Sequence, residues 1–265
     1  MEKNLNHTLL LVDDNEDILD FLSDDLSDKY NILSAANGSL ALEILHSESI
    51  QMVISDIMMP GMDGFELCRT IKSSVEFSHI PVILLTARNT LQSKIEGLEQ
   101  GADAYVEKPF SPEFLQVQIS SLLKNRDKVK AYFASSPLLH MKSMAYTKAD
   151  EIFLEKLQQI INGSIGNPEL DVEHLADQMH MSRPTFYRKI KAISDLSPNE
   201  LINLARLKKA VELLNNSDLK IYEIAEMIGY SSQTQFGRNF LKQFGMSPTD
   251  YINNQQGDKK KNNEW

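Results

Sequence analysis

Short apolar runs recur through the first half of the chain, at Leu9–Val12, Asn31–Ala35, Met52–Ile54, Val82–Leu85 and Ala104–Val106, and they are continuous rather than alternating. A strand with one wet face alternates polar and apolar residues, whereas an unbroken run is expected where both faces are covered. Between the runs the apolar spacing becomes helical: Ile18, Leu19, Leu22 and Leu26; Leu40, Ala41, Ile44 and Leu45; Phe65 and Leu67 to Ile71; Leu91, Ile95 and Leu98; Phe114, Leu115, Ile119 and Leu122. Five strand-helix units in succession point to an α/β fold, a doubly wound (βα)5 parallel sheet. Beyond Asp150 no strand pattern recurs. Helix-period stretches broken at Gly163-Ser164, Asn167-Pro168, Ser197-Pro198 and Ser247-Pro248 predict a second, all-α domain.

The expected organisation is an α/β domain over 1–125, a partly helical linker over 126–149, an all-helical domain over 150–252 and an Asn-, Gln- and Lys-rich tail over 253–265 without structure. The length of 265 residues suits two domains that each bury a core of their own. The single cysteine, Cys68, excludes an internal disulfide framework and Cys-based zinc sites, and fits a reducing compartment. Leu9–Val12 is too short for a signal-peptide core or a membrane span, so a cytoplasmic protein without membrane contact is expected. The net charge of −10 hides an asymmetry: residues 1–125 carry 8 basic and 20 acidic residues, residues 126–265 carry 19 and 17. A near-neutral half with clustered Arg and Lys remains compatible with nucleic-acid binding.

The second domain repeats itself. Leu175-Ala176-Asp177-Gln178-Met179-His180-Met181-Ser182 aligns with Ile224-Ala225-Glu226-Met227-Ile228-Gly229-Tyr230-Ser231 at an offset of 49, and Ser197-Pro198 aligns with Ser247-Pro248 at 50. Each copy reads as a short helix, a tight turn and a second helix starting near Ser182 or Ser231, which is helix-turn-helix geometry. Duplication of that unit is hard to explain by packing alone.

In the first domain acidic residues gather at strand ends: Asp13 and Asp14 after the first, Asp56 after the third. Doubly wound sheets bind ligands at the carboxyl edge where the strand order reverses, and in the order 2-1-3-4-5 that point lies between strands one and three. Asp13, Asp14 and Asp56 are therefore expected to converge, and oxygen-only ligands with room for water suit Mg2+. Thr86 and Lys108 end the fourth and fifth strands, adding a hydroxyl and an ammonium, so the set fits phosphoryl transfer. Each residue has a plainer reading, as a helix cap, a surface charge or a rim hydroxyl. Their order at successive strand ends argues against the plain readings together.

Leu11-Val12-Asp13-Asp14-Asn15, Asp56 to Gly64, Leu85-Thr86-Ala87 and Lys108-Pro109-Phe110 resemble the receiver domain of two-component response regulators over residues 8–124. The resemblance implies that Asp56 accepts phosphate from a phosphohistidine of a histidine kinase. It implies that Asp14, Asp56 and the Met58 carbonyl hold Mg2+, with Asp13 acting through water. It further implies that Lys108 contacts the phosphoryl group, that Thr86 and Tyr105 form the switch, that the Lys108-Pro109 bond is cis, and that Met58 and Arg88 set the acyl-phosphate lifetime.

In the first repeat, Ser182 to Lys191 carries four basic residues and no acid; Phe186 and Ile190 are expected to face the core and Arg183, Thr185, Tyr187, Arg188 and Lys189 to supply DNA contacts. The second repeat offers Ser231, Ser232, Gln233, Gln235, Arg238 and Asn239, polar but less charged. Met181 to Lys189 with Leu196-Ser197-Pro198, and Gly229 to Gln233 with Phe236, Phe240, Phe244 to Pro248 and Tyr251, are similar to the AraC-type DNA-binding domain over 150–252. That resemblance implies a central helix, Pro198 to Leu214, joining two units that enter successive major grooves, and a homodimer on direct DNA repeats. His174 and His180 have no carboxylate partner at ligand spacing and read as structural.

The chain reads as a phosphorylation-controlled transcription regulator rather than an enzyme, either free-standing or the output portion of a hybrid sensor kinase. A Mg2+ phosphohydrolase would want a second carboxylate two residues past Asp56, where Met58 stands. The chain has no Walker A loop, GxGxxG or kinase signature, so its phosphate comes from elsewhere. A ligand-sensing AraC-type regulator would carry a sugar-binding barrel ahead of the repeats, and a protein-interaction module would leave Arg183 and Arg188 without a role.

Overall fold

The computed structural model describes residues 7–87, 100–135 and 141–261. The helix expected around Leu91 to Leu98, and Arg88, lie outside these residues. The chain divides into two compact units, Met1–Ala131 with Ala145–Phe153 and Tyr132–Met144 with Leu154–Trp265.

In the first unit, β1 (Thr8–Val12), β2 (Asn31–Ala35), β3 (Met52–Asp56), β4 (Val82–Thr86) and β5 (Ala104–Glu107) form one parallel sheet in the order β2-β1-β3-β4-β5. The unbroken apolar runs have the expected cause. Leu10, Val12, Val53, Val82 and Leu84 enter the core on one face of the sheet, while Leu9, Leu11, Met52, Ile54, Ile83 and Leu85 enter the core on the other. Period-2 geometry thus sends successive residues of the central runs into one core or the other, while β2 at the sheet edge leaves Asn31 and Ser34 exposed.

The helices α1 (Glu16–Leu26), α2 (Gly38–Ser47) and α3 (Gly64–Ser73) are each opened by a side-chain cap. Asn15 accepts from Asp17 N at 2.9 Å, Asn37 from Leu40 N at 3.0 Å and Asp63 from Glu66 N at 2.8 Å, satisfying otherwise orphaned donors.

Helix α4 runs over Pro112–Ser135, well past the boundary expected at residue 125. A 3-10 turn at Met141–Met144 and helix α5 (Lys148–Ser164) take up most of the rest of the expected linker. Its segment 145–153 belongs to the first unit because buried polar groups hold it there. Asp150, fully buried, accepts from Ser78 Oγ at 2.6 Å, and Tyr146 Oη donates to the Arg126 carbonyl at 3.1 Å. The Arg126 guanidinium lies 4.1 Å from the Tyr146 ring centroid, donates to the His79 carbonyl and pairs with Asp103 at 2.8 Å. Asp103 in turn pairs with Lys72 at 2.5 Å.

The described residues of the second unit contain no strand. Helices α6 (Val172–Gln178) and α7 (Arg183–Ser194) form the first copy, α8 (Pro198–Asn216) is the central helix, and α9 (Ile221–Met227) and α10 (Gln233–Phe244) form the second copy. Ser182 and Ser232 cap α7 and α10, so the second copy's extra residue lies in its turn and the helix starts one residue later than the Ser231 alignment suggests. Helix α11 (Pro248–Lys261) continues through most of the segment expected to lack structure. Ser247 caps it, accepting from Asp250 N at 3.1 Å, and Tyr251 near its start packs on the second copy's aromatic core, with Phe240 and Phe244 at 5.7 and 6.4 Å between ring centroids.

Candidate functional site

At the carboxyl edge of the sheet, Lys108 joins two buried carboxylates. Its Nζ lies 2.7 Å from Asp56 Oδ1 and 3.0 Å from Asp13 Oδ2. The other oxygens are occupied from the backbone: Asn15 N donates to Asp13 Oδ1 at 3.0 Å, and Met58 N donates to Asp56 Oδ2 at 2.6 Å. Asp13 is 3% exposed and Asp56 7%, so both charges sit where Coulomb interactions are strong. Burial works against the Lys108 charge, but the hydrogen bonds and charges of Asp56 and Asp13 outweigh it and hold its pKa above the ordinary lysine value.

The strand ends are tied together by backbone. Lys108 N donates to the Thr86 carbonyl at 2.6 Å and Ile57 N to the Leu85 carbonyl at 3.1 Å. The loop after Asp56 returns so closely that a Cβ on Gly64 would lie 2.1 Å from the Asp56 carbonyl oxygen, which only glycine allows. The Lys108-Pro109 peptide is cis, as the resemblance implied. Thr86 is buried at the end of β4. Tyr105 is half-buried, and its hydroxyl has no hydrogen-bond partner among the described residues.

The expected convergence of Asp13, Asp14 and Asp56 is met for two of the three. Asp14 is exposed, and among the described residues no three His, Cys, Asp or Glu side chains are gathered closely enough to hold a metal ion. A single ammonium, that of Lys108, offsets one of the pair's two negative charges in this arrangement. The donor set still fits a hard divalent cation, because each oxygen of Asp13 and Asp56 has a lone pair to spare after its one hydrogen bond. Met58, 56% exposed, leaves the edge of the site open.

In the second unit, Arg183 and Tyr187 are exposed and Thr185 and Arg188 partly exposed along α7; Ser232, Gln233, Gln235 and Arg238 are exposed along α10. Arg183 also stands 3.6 Å from Glu173, an exposed pair of little energetic weight. Lys189 departs from the expected DNA-facing set: it is 1% exposed. It follows Phe186 by three residues and precedes Ile193 by four, so helical periodicity places it on the core stripe with Phe186, Ile190 and Ile193. That spacing was available in the sequence, but the positive charge obscured it. Asn239 also departs from the expected DNA-facing set: it is partly buried and its amide bonds inward to Asn203 and Tyr230, a cluster that sequence reasoning missed together with the Lys72-Asp103-Arg126 chain.

Comparison with known proteins agrees with this layout. Residues 9–120 match the response regulator receiver domain family and residues 175–254 a helix-turn-helix domain family. "Histidine kinase P4" of Formosa agariphila is 37% identical over 246 residues, 93% of this chain and 18% of that protein. "Probable transcriptional regulator ycf27" of Cyanidium caldarium is 44% identical over 119 residues, 44% of this chain and 47% of that protein. Among solved structures, the chemotaxis protein CheY4 of Vibrio cholerae is 32% identical, covering 43% of this chain and 97% of that one, with a TM-score of 0.42. The chain thus spans less than half the length of either named relative. No helix among the described residues is long and apolar enough to cross a membrane. The chain carries a response regulator receiver domain followed by an AraC-type helix-turn-helix domain.

Proposed function

We propose that this chain is a phosphorylation-controlled DNA-binding transcription regulator of a two-component system, acting in the cytoplasm. The observation that carries the reading is the Lys108 ammonium held at 2.7 Å from Asp56 and 3.0 Å from Asp13, in the same chain as two helix-turn-helix units. The phosphodonor is a phosphohistidine of a histidine kinase, in a partner or elsewhere in a longer natural chain. The resemblance of 93% of this chain to part of a protein named as a histidine kinase supports the second arrangement.

A carboxylate oxygen of Asp56 attacks phosphorus, the P–N bond breaks, and the imidazole leaves and takes a proton. Lys108 Nζ is placed to meet the negative charge that arrives on the phosphoryl oxygens, at a buried edge where that charge is poorly screened. Asp13, Asp14, Asp56 and the Met58 carbonyl would hold Mg2+, which when bound neutralises phosphoryl charge. Thr86 follows the phosphoryl group, and Tyr105, whose hydroxyl no polar partner holds among the described residues, turns inward.

The output is a dimer on direct DNA repeats, in which Arg183, Thr185, Tyr187 and Arg188 of α7 and Ser232, Gln233, Gln235 and Arg238 of α10 meet successive major grooves. Phosphotransfer tests the input half. Incubation with a phosphorylated histidine kinase or with phosphoramidate labels the wild-type chain with acid-stable, base-labile phosphate. Asp56→Asn remains folded and unlabelled; labelling of that variant to the wild-type extent would overturn the assignment.

A further inference from the structure

Three side chains from three elements of the second unit converge on one oxygen atom. Tyr230 Oη donates to Asn203 Oδ1, and Asn239 Nδ2 donates to the same oxygen at 2.9 Å while lying 3.4 Å from Tyr230 Oη. Asn203 belongs to the central helix α8, Tyr230 to the turn before α10, and Asn239 to α10 itself. Two donors use both lone pairs of the Asn203 oxygen, so the cluster has one satisfied arrangement. Tyr230 is 7% exposed, with its ring 5.5 Å from that of Phe236 and 5.9 Å from the guanidinium of Arg206 on α8.

The first copy carries different residues at the equivalent positions of Tyr230 and Asn239. Met181 stands where the second has Tyr230, and the buried Lys189 where it has Asn239. The two reading helices also differ in charge: with Lys189 buried, α7 keeps three basic residues outside the core, Arg183, Arg188 and Lys191, and α10 has two, Arg238 and Lys242. A basic helix is held to DNA by phosphate attraction that tolerates small rotations. A helix that reads with Ser and Gln depends on directional hydrogen bonds and does not. Gln235 lines the same open groove as Asn203, Tyr230 and Asn239. The cluster therefore shares a groove with Gln235, one of the polar residues of the reading helix.

We propose that Asn203, Tyr230 and Asn239 are positioning residues that fix the rotation of α10 on α8 and thereby set the base specificity of the second helix-turn-helix unit. The inference rests on the DNA-binding reading above. It is tested on the full chain with Tyr230→Phe and Asn239→Leu, which remove donors without adding charge, and with Asn203→Asp, which keeps the acceptor.

Each donor variant is expected to stay folded by circular dichroism and to exchange the amides of α10 faster than wild type, with α7 unchanged. Each is expected to lose about tenfold in specific affinity for a selected DNA site, with footprint protection lost over the second unit's half-site only. Asn203→Asp is expected to keep the wild-type footprint. Unchanged α10 exchange and unchanged footprints in both donor variants, or equal loss over both half-sites, would overturn the proposal. The exchange measurement needs no DNA, so a wild-type chain that selects no sequence would overturn the DNA-binding reading separately.

Discussion

His180 and Gly229 occupy the same left-handed backbone position in the two copies, 49 residues apart, with φ of 56° and 79°. In the second copy glycine is required twice over. The positive φ favours it, and a Cβ there would lie 2.6 Å from the Ile165 carbonyl oxygen and 2.9 Å from the Arg206 guanidinium. In the first copy His180 carries the steric cost of its own Cβ. His180→Gly is expected to stabilise the chain by roughly 0.5 kcal/mol, and Gly229→Ala to destabilise it by about 2 kcal/mol or more. Urea unfolding of both variants decides it; a loss of stability in His180→Gly comparable to that in Gly229→Ala would contradict the account.

Lys189 and Arg183 share a helix and a charge but not a role. Lys189 is buried and Arg183 exposed. Lys189→Ala is expected to lower the unfolding free energy by about 2 kcal/mol through lost packing of its stem. Arg183→Ala is expected to leave stability within about 0.5 kcal/mol and to weaken specific DNA binding by roughly 1 to 3 kcal/mol. Unfolding curves and DNA titrations at one salt concentration separate the two; the reverse pattern would refute the placement of Lys189.

Asp103 holds two cations in a mostly dry site. Its carboxylate pairs with Lys72 at 2.5 Å and with Arg126 at 2.8 Å, and accepts from Val82 N at 2.8 Å. Removing the shared charge leaves both cations uncompensated, a loss worth about 3 kcal/mol for buried pairs. Asp103→Asn is expected to destabilise the first unit by that order, and to loosen segment 145–153, which Arg126 and Tyr146 help to hold. Thermal unfolding with limited proteolysis tests it, and a variant as stable and as protease-resistant as wild type would rule it out.

Cys68 is fully buried, and burial, helped by Asp103 and opposed by Lys72, pushes its thiol up to about 11 from 9.0. A group whose pKa is raised by folding stabilises the protein fully below its unfolded value and loses that contribution as pH rises through the folded value. Stability is therefore expected to fall between pH 9 and about 11, and to fall less steeply in Cys68→Ala. A thiol reagent at pH 8 should leave the native chain unmodified and label it after unfolding. Rapid labelling of the native chain would contradict the placement.

The parallel sheet was legible because short continuous apolar runs alternating with helical spacing suit strands buried on both faces, and the observed order is the common doubly wound one that was assumed. The meeting of Asp13, Asp56 and Lys108 was legible because strand ends in such a sheet come together at a predictable place. Three features were not. Lys189 carries a charge whose usual meaning is exposure, and only its position three residues after Phe186 argued otherwise. The tail beyond Asn253 has a composition typical of unstructured chain, yet the Ser247 cap and the packing of Tyr251 start a helix that propagates to Lys261. The contacts of Asn203 with Tyr230 and Asn239 span 27 and 36 residues, and no local pattern marks an asparagine that will find a partner at such range.

The central claim is that phosphorylation of Asp56 controls DNA recognition by the helix-turn-helix units. The most direct measurement is selection of DNA from a random pool by the full chain in Mg2+, with and without beryllium fluoride as a mimic of the aspartyl phosphate, at fixed salt. The account predicts enrichment of a direct repeat mainly with the mimic, and no gain from the mimic in Asp56→Asn. Equal enrichment with and without the mimic would contradict control through Asp56, and enrichment of no sequence under either condition would contradict DNA recognition itself.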